Sequence, residues 1–527
     1  MFIRQALRGL GRAGHAIKAA AYSASAGGGE CGSKKIGLVL GVYRGCQPGE
    51  VRMSKQTQMF DEKIQGKAKD FLLTSNIARQ SAVVAHNLPS DYFAVAFADI
   101  GPAEAKYNPQ ENLEECLDWT RIGAGVGARA LQQYAVDEIH VESMSNATAA
   151  AEGSVLGAWD FEGYKSYSED KVRPTVVPYN VDETELWRSG TIAGEAQNMA
   201  RHIAHLPPNV GTPDGIADYT RDMLCKCGVQ VSIRNAEWIE EKKMNALLNV
   251  GMGSRRTPLL LELAYCGGVS DGKPVVLIGD GCTYDSWGLC LRDNKRLEHG
   301  SVFGKIGAAS VIGAMQAIAR LSLPINVNAM VPLYENKPGG MALKPGSVVK
   351  TFHGNLSEVH RTNVSTRLVL SDMIGYSQAL APDMIVNVST LSVDSQKYLS
   401  DGVTYGYTAN DGLYRTLESA SAVTGDRVIR GPLWKFYEAK TKWPTLADTR
   451  VVPHQFSGDS MAAAMFLEDF KPKATSMVTL DVGGSAFVRS PKPEHYLRPE
   501  RLTGSPVRTI VEFLKQYTCP NDKRLSC

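Results

Sequence analysis

The sequence has almost no net charge, no long apolar run and no paired cysteine motif. Its 57 lysines and arginines nearly balance 55 aspartates and glutamates, so it lacks the basic excess that is typical of proteins that bind nucleic acids. The longest uncharged apolar run, Ile306 to Ala319, is shorter than the roughly 20 residues that a membrane-spanning helix needs. The ten cysteines include no CxxC pair, which leaves a zinc ribbon or a thioredoxin-like site without support and favours reduced thiols. We therefore expect neither a nucleic-acid partner nor a membrane span.

Acidic residues are also missing from the first part of the chain. The first is Glu30, whereas Arg4, Arg8 and Arg12 recur every four residues and would lie along one side of a helix. A stretch that is rich in arginine, contains serine, lacks acids and is amphipathic is typical of a mitochondrial transit peptide. We therefore predict a transit peptide over residues 1–30 and a mitochondrial location, with a cytoplasmic location as the alternative.

The length of 527 residues indicates more than one domain. Short apolar runs alternate with helical patterns in the first part of the chain, which predicts an α/β domain over residues 31–182. The strands of this domain are expected at 35–43, 91–100, 138–144 and 174–180, and its helices at 68–86, 111–134 and 146–158. A polar linking helix is predicted over 183–205, because Pro207 and Pro208 must end it.

A second and larger α/β pattern covers residues 206–527. Its strands are expected at 258–266, 274–279, 325–333, 384–390 and 476–482. Its helices are expected at 213–226, 236–249, 305–322, 368–380, 412–424 and 459–470. We predict a mixed sheet between helices in this domain.

A glycine pattern in the first domain is similar to a dinucleotide-binding loop. Gly123, Gly125 and Gly127 have the spacing of such a loop, but they lie inside a predicted helix and do not follow a strand. A nucleotide loop needs the strand-to-glycine-to-helix order. We therefore interpret these glycines as part of a helix.

Two turns in the larger domain carry the strongest motifs. The first, PVVLIGDGCTYDSWGLCLR at 274–292, joins an apolar strand to a glycine-flanked turn that presents Asp285, and the second, HRTNVSTRLVLSD at 360–372, leads into a helix. They resemble the leucine aminopeptidase (cytosol aminopeptidase) family. Six further segments follow the pattern of that family in order: LPPNVGTPDGIADY (206–219), WIEEKKMNALLNV (238–250), MVPLYENKPGGMALKPGSVVK (330–350), TGDRVIRGPL (424–433), LDVGGSAF (480–487) and LTGSPVRTIVEFL (502–514).

The resemblance implies a fold and a chemistry. Members of the family are enzymes with two divalent metals, zinc or manganese, and they remove N-terminal residues from peptides. The two ions activate a water molecule and clamp the scissile carbonyl. The family holds the two ions with one lysine and four carboxylates, and a second lysine and an arginine assist catalysis.

Most of these positions are changed in this sequence. At the five metal-ligand positions of the family stand Asp280 in place of lysine, Asp285 unchanged, Lys305 and Asn363 each in place of aspartate, and Ser365 in place of glutamate. At the two catalytic positions stand Arg292 in place of lysine and Arg367 unchanged.

The charges at these positions argue against two bound metals. Only Asp285 is kept with certainty, and Lys305 adds a cation where the family has a ligand carboxylate. A unit charge repels another at 4 Å by about 4 kcal/mol at an effective dielectric constant near 20, and a divalent ion doubles that repulsion. We therefore expect no metal cofactor, no intact catalytic or metal site, and a protein that is not an enzyme. We also expect Lys305 to occupy the vacated metal position and to pair with Asp280 and Asp285.

The resemblance further implies an assembly and a role. Family members form hexamers of two stacked trimers, and the combination of a degenerate metal site with a mitochondrial transit peptide resembles the insect sperm leucylaminopeptidase-like proteins. This predicts an inactive structural protein of sperm mitochondrial derivatives. One alternative is a metal-dependent leucyl aminopeptidase with a rebuilt site of Asp280, Asp285 and Asn363, which requires Lys305 to turn away. Another is a non-catalytic regulatory subunit in mixed hexamers with related chains.

Overall fold

The computed structural model describes residues 34–45, 50–165, 173–270, 272–291, 303–392, 402–442, 446–451, 459–488 and 496–519. The predicted transit peptide, residues 1–30, lies outside these ranges. Within them, no helix is both long enough and apolar enough to cross a membrane. Cys116 is disulfide-bonded, so the expectation of reduced thiols is wrong for this residue. Six other described cysteines are not in disulfides: Cys225, Cys227, Cys266, Cys282, Cys290 and Cys519.

The first part of the chain folds around one mixed sheet. Its elements are β1 (Ile36–Arg44), β2 (Val51–Met53), α1 (Lys55–Lys63), α2 (Lys67–Thr74), β3 (Ala82–His86), β4 (Ala94–Asp99), β5 (Tyr107–Asn108), β6 (Leu113–Glu114), α3 (Glu115–Gln132), β7 (Glu138–Val141), α4 (Ala147–Ala158) and β8 (Thr175–Pro178). The strand order is β3-β4-β1-β7-β8, and β2 pairs with β1. Strands β4, β1, β7 and β8 are parallel, whereas β3 and β2 are antiparallel to their neighbours.

The sequence of strand β1 is apolar because both of its faces are buried. Leu38 and Leu40 pack into a core on one face of the sheet, and Val39 packs into a second core on the other face. A strand that is covered on both faces reads as a continuous apolar run rather than an alternating one. The helix predicted over 68–86 is wrong in its second half, because β-branched residues Val83 and Val84 pair with β4 as part of β3.

Helix α5 (Thr184–His205) connects this sheet to the larger part of the chain and ends before Leu206. The elements that follow are α6 (Pro213–Leu224), β9 (Gln230–Arg234), α7 (Ala236–Glu241), α8 (Asn245–Gly251), β10 (Leu259–Cys266), β11 (Val275–Gly279), β12 (Gly281–Asp285), α9 (Ile306–Arg320), β13 (Asn326–Asn336), β14 (Ser347–Lys350), β15 (Leu356–Val359), α10 (Ser365–Tyr376), β16 (Met384–Ser389), β17 (Val403–Tyr407), α11 (Asp411–Thr424), β18 (Arg427–Arg430), α12 (Lys435–Thr441), β19 (Thr449–Arg450), α13 (Asp459–Glu468), β20 (Ser476–Asp481), β21 (Phe487–Val488), β22 (Arg501–Leu502) and α14 (Val507–Thr518). The helix predicted over 236–249 is divided into α7 and α8, because Lys243 between them has a left-handed φ of 60°.

The larger sheet is mixed, as predicted. Its order is β18-β17-β20-β16-β11-β13-β10-β9, and β12 pairs with β13. The centre of the sheet, β20-β16-β11-β13, is parallel. Val275 and Leu277 of β11 pack into one core, and Val276 and Ile278 pack into the core on the opposite face. The carboxyl ends of these central strands therefore meet at one edge of the sheet, where Asp280 follows β11.

Helices α3 and α4 cross at very short range. A Cβ atom on Gly153 of α4 would lie 2.0 Å from the carbonyl oxygen of Arg121 on α3, and one on Gly157 would lie 2.4 Å from that of Gly125. Real Cβ atoms do not come within 3.0 Å of other heavy atoms. Of the glycines in the 123–127 motif, Gly125 faces α4, whereas Gly123 and Gly127 face Ile100 and Val39 on the side of the sheet. All three lie inside α3, as predicted.

One buried arginine joins both parts of the chain. Arg508 of α14 donates hydrogen bonds to Glu152 of α4 at 2.9 Å, to Gln197 of α5 at 2.6 Å and to the carbonyl oxygen of Thr424 at 2.8 Å. It also contacts Asp426 at 3.3 Å. Because these groups belong to different elements of both parts of the chain, this network fixes the position of the two sheets relative to each other.

Candidate functional site

Two aspartates lie at the ends of two consecutive strands that both pair with β13: Asp280 follows β11, and Asp285 is the last residue of β12. Asp280 is fully buried, and its Oδ1 accepts a hydrogen bond from the hydroxyl of Tyr334 at 3.0 Å. Its Oδ2 is buried without a hydrogen-bond partner. The pKa of Asp280 is raised to about 7, mainly by burial; the Tyr334 hydrogen bond lowers the pKa and the nearby charge of Asp285 raises it.

Asp285 is held in a different way. Its Oδ1 accepts hydrogen bonds from the backbone N–H of Trp287 and from the side-chain amide of Asn336, both at 2.9 Å. The same amide group of Asn336 donates to the carbonyl oxygen of Thr362 at 2.9 Å. Asn336 thus connects the first predicted turn to the second, and the structure brings both turns to one site.

Trp287 occupies a strained position in the first turn. Its φ is 69°, and that of Gly288 is 60°. A left-handed conformation costs a residue other than glycine about 1–2 kcal/mol. The Trp287 carbonyl accepts a hydrogen bond from the hydroxyl of Thr362 at 2.6 Å, and this bond also holds the two turns together.

The second turn contributes three of the predicted residues. Asn363 lies in a short 3₁₀ turn, and its Oδ1 is buried without a partner. The hydroxyl of Ser365 is turned back to the carbonyl oxygen of Thr362 at 2.7 Å. Arg367 is almost fully buried and donates to the carboxylate of Asp459 at 2.6 Å and to the carbonyl oxygen of Leu391 at 2.9 Å, whereas its Nε and Nη1 have no hydrogen-bond partner.

Lys305 is fully buried, but it does not form the predicted ion pair. Its Nζ donates to the carbonyl oxygen of Leu206 at 2.6 Å, and no ion pair in the described part of the chain joins it to Asp280 or Asp285. Burial lowers the pKa of Lys305 to about 7, against a raising effect of Cys282. The prediction erred because the direction of a long side chain follows from its packing and cannot be derived from the type of residue alone. Arg292, the other predicted catalytic position, lies outside the described residues.

Three contributors to the site were missed in the sequence. They are Tyr334 and Asn336, which hold the two aspartates, and Asp459, which anchors Arg367. Tyr334 and Asn336 lie in the segment MVPLYENKPGG, where two polar residues that follow an apolar strand were a usable signal. Asp459 carried no such signal, because its partner is far away in sequence.

The donor set does not fit a pair of divalent ions. In the described ranges, no group of three or more His, Cys, Asp or Glu side chains could hold a metal. Two such ions need several anionic or imidazole ligands, which two aspartates cannot supply. The unpaired Oδ2 of Asp280 and Oδ1 of Asn363, together with the carboxylate of Asp285, offer oxygen donors that suit at most one hard cation.

Comparison with known proteins places this architecture in a family. Residues 198–511 match the model of the cytosol aminopeptidase family, catalytic domain, and residues 39–168 match that of its N-terminal domain. The chain belongs to the cytosol aminopeptidase family. It is 34% identical over 489 residues to the cytosol aminopeptidase of Xenopus tropicalis, a match that covers 91% of this chain and 92% of that protein. It is 32% identical over 498 residues to that of Homo sapiens, which covers 92% and 93% of the two chains.

A solved structure gives the same result. The bottromycin maturation enzyme BotP in complex with Mn superposes with a TM-score of 0.78 at 26% sequence identity, covering 92% of this chain and 100% of that chain. The predicted fold class, two α/β units with a mixed sheet between helices in the larger one, is thus confirmed.

The prediction that the protein is not an enzyme is contradicted. Relatives that match over nearly the whole chain are named cytosol aminopeptidase, and the longer matched region is the catalytic domain of a peptidase family. The changed residues at the ligand positions do not remove the chain from a family of enzymes.

Proposed function

We propose that the protein is an aminopeptidase that removes N-terminal residues from peptides with one divalent cation in place of two. The observation that carries this proposal is the direction of Lys305, whose Nζ is bound to the carbonyl oxygen of Leu206. A rebuilt site of Asp280, Asp285 and Asn363 requires Lys305 to turn away, and this contact meets that requirement. The unpaired oxygen atoms of Asp280 and Asn363 support the same conclusion, because buried polar atoms are rarely left unsatisfied.

The residues of the chain have separable tasks in this proposal. When bound, a divalent cation supplies polarisation of the scissile carbonyl. Tyr334 orients Asp280 through Oδ1, and Asn336 orients Asp285 while it holds the second turn in place. Arg367 is anchored on one side by Asp459, so its Nε and Nη1 are left to donate to a carbonyl or carboxylate of the peptide.

The proposal is tested by measuring metal content and activity together. Purified protein, stripped with a chelator and titrated with Mn²⁺ or Zn²⁺, should bind one equivalent of the ion and hydrolyse leucine anilide to leucine and aniline. Asp285→Asn should lower both binding and turnover at least tenfold, whereas Asp214→Asn, on the exposed start of α6, should change neither. Absence of turnover with every metal, with no bound ion, would reject the proposal.

We also propose that the protein assembles as a hexamer. Import into mitochondria and a structural role in sperm mitochondrial derivatives are proposed as well, on the basis of the predicted transit peptide and the family resemblance. Support for assembly comes from apolar side chains near strand β18, where Ile429, Trp434 and Phe436 are 42%, 63% and 63% exposed. Exposed apolar side chains of this size near an outer strand are typical of an interface. The native mass by light scattering should correspond to six chains, and the double variant Trp434→Ser/Phe436→Ser should give a smaller species. A monomer for the parent protein would overturn the assembly.

A further inference from the structure

Lys305 places an amine in the interior without an acidic partner among the described residues. None of its side chain is exposed, and the bond to the carbonyl oxygen of Leu206 is its one hydrogen bond among the described residues. An isolated buried ammonium is costly, so a methionine of similar length would be the cheaper way to fill this space. The amine is therefore present for the hydrogen bond that it makes.

The acceptor of this hydrogen bond belongs to the turn that ends the linking helix α5. Pro207 and Pro208 of this turn have no N–H to donate, and the turn is closed by the N–H groups of Val210 and Gly211, which both donate to the carbonyl oxygen of Pro207 at 2.9 and 2.8 Å. Helix α6 starts directly after it. The turn thus connects α5, the helix between the two sheets, to α6, the first helix of the larger part of the chain.

Gly211 and His205 allow the Lys305 amine to approach the turn. A Cβ atom on Gly211 would lie 3.3 Å from Nζ of Lys305 and 2.9 Å from Cβ of Leu206, so glycine is needed for the close approach. His205 is neutral, because its Nδ1 donates to the carbonyl oxygen of Arg201 and its Nε2 accepts from the N–H of Leu502. The turn therefore presents a carbonyl group to Lys305 without a competing positive charge on His205.

Lys305 also lies directly beside the candidate site. It precedes α9, the short 3₁₀ turn that contains it packs against β12, and the backbone N–H of Ala308 donates to the carbonyl oxygen of Asp280 at 2.6 Å. The segment that carries Lys305 thus touches the strand ends that bear the two aspartates, while its side chain reaches the linker.

We propose that Lys305 is a positioning residue that ties the 206–211 turn of the linker to the strand ends of the candidate site. The tie is a hydrogen bond from an internal amine, so it acts with or without a bound cation and regardless of activity. It sets the position of the linking helix relative to the two aspartates.

Hydrogen exchange followed by mass spectrometry tests this proposal in the full-length protein. Lys305→Met keeps the length of the side chain but removes the donor, and it should speed exchange at Val210 and Gly211 at least tenfold while a peptide from β9 is unchanged. Lys305→Arg keeps a donor and should retain most of the protection, which a role in packing alone would not require. Lys344→Met, at an exposed position, is the matched control.

Either of two results would overturn the proposal. One is wild-type protection of the 206–211 turn in Lys305→Met, and the other is faster exchange spread evenly over the catalytic region. If Lys305→Met does not fold, Gly211→Ala serves in its place, because the added methyl group would push the amine away from Leu206. It should give the same local increase in exchange, with Gly340→Ala in open space as its control; unchanged exchange in Gly211→Ala would count against the tie.

Discussion

Buried titratable residues lie in both parts of the chain, and neither Lys305 nor Glu142 forms an ion pair among the described residues. Lys305 and Glu142 show opposite effects of burial on the pKa. Burial lowers the pKa of the lysine to about 7 and raises the pKa of the glutamate to about 7, and the hydrogen bonds of Glu142 with Ser54 and Gly41 only partly offset the shift. A change in pKa between the folded and unfolded states makes stability depend on pH, so the two residues give predictions of opposite sign.

Lys305→Met should change the alkaline side of the stability profile. The unfolded chain binds more protons at this residue than the folded chain between about pH 7 and pH 10, so the free energy of unfolding of the parent should rise over that range. The variant should lack this rise of a few kcal/mol. Urea unfolding at pH 7, 8, 9 and 10 measures the slope, and parallel profiles for parent and variant would contradict the shifted pKa.

Glu142→Gln should change the acidic side of the pH profile of stability. The folded chain binds more protons at this residue between about pH 4.5 and pH 7, so stability of the parent should fall as the pH rises through that window and level off above it. Because the amide of glutamine does not ionise, the stability of the variant should fall less over this window, by up to about 3 kcal/mol. The comparison needs unfolding curves at pH 5 and pH 7, with Glu500→Gln at an exposed position as the control; an equal fall in parent and variant would be the adverse result.

At the scale of elements, the crossing of α3 and α4 depends on the absence of side chains. Glycines at the contact let the backbone of one helix touch that of the other, because the side chains at a contact set how closely two helices approach. The interior cannot absorb an added group here without moving a whole helix, because proteins are packed nearly as densely as organic crystals.

Gly153→Ala should therefore be strongly destabilising. The new methyl group would lie 2.0 Å from the carbonyl oxygen of Arg121, and overpacking of this kind costs about 1–3 kcal/mol or more. The melting temperature should fall by several degrees, whereas Gly163→Ala, with no atom within 4 Å of the added group, should melt close to the parent. Equal melting temperatures for the two variants would show that α4 can shift freely.

Much of the fold could be predicted at this scale, and the reasons are visible in particular elements. Strand β11 and helix α9 are apolar throughout because both faces are covered, and such runs are easy to recognise. Strand β3 was missed because its pairing with β4 decides its conformation, and this information is not local. The two turns of the site could be predicted from their motifs. The direction of the Lys305 side chain could not, because its contact with Leu206 joins residues far apart in sequence.

At the scale of the whole molecule, the buried Arg508 network connects the two parts of the chain. Arg508 and Arg121 both donate to Glu152, so the network joins α3, α4 and α14, and Gln197 adds the linking helix. Removing one partner of a buried charged network leaves the others without compensation. The network therefore makes the two parts of the chain one cooperative unit.

Arg508→Met should lower the free energy of unfolding by about 3–5 kcal/mol, the usual cost of breaking a buried ion pair. Because several acceptors surround a planar group, Arg508→Lys should recover only a small part of this loss. Calorimetry should show one transition in the parent and a lower or divided transition in Arg508→Met. A single transition at the parent temperature would mean that the apolar contacts alone hold the two parts together.

The same network has a consequence for the order of events during synthesis. The ribosome makes the N-terminal part first, and domains generally begin to fold as they emerge. Glu152 is then already enclosed between α3 and α4, but Arg508 belongs to the last described helix, so its positive charge arrives only after the catalytic region has been translated. Until then Glu152 has Arg121 as a charged partner but lacks the second arginine, and we expect the nascent N-terminal part to depend on a chaperone during this interval more than the finished protein does.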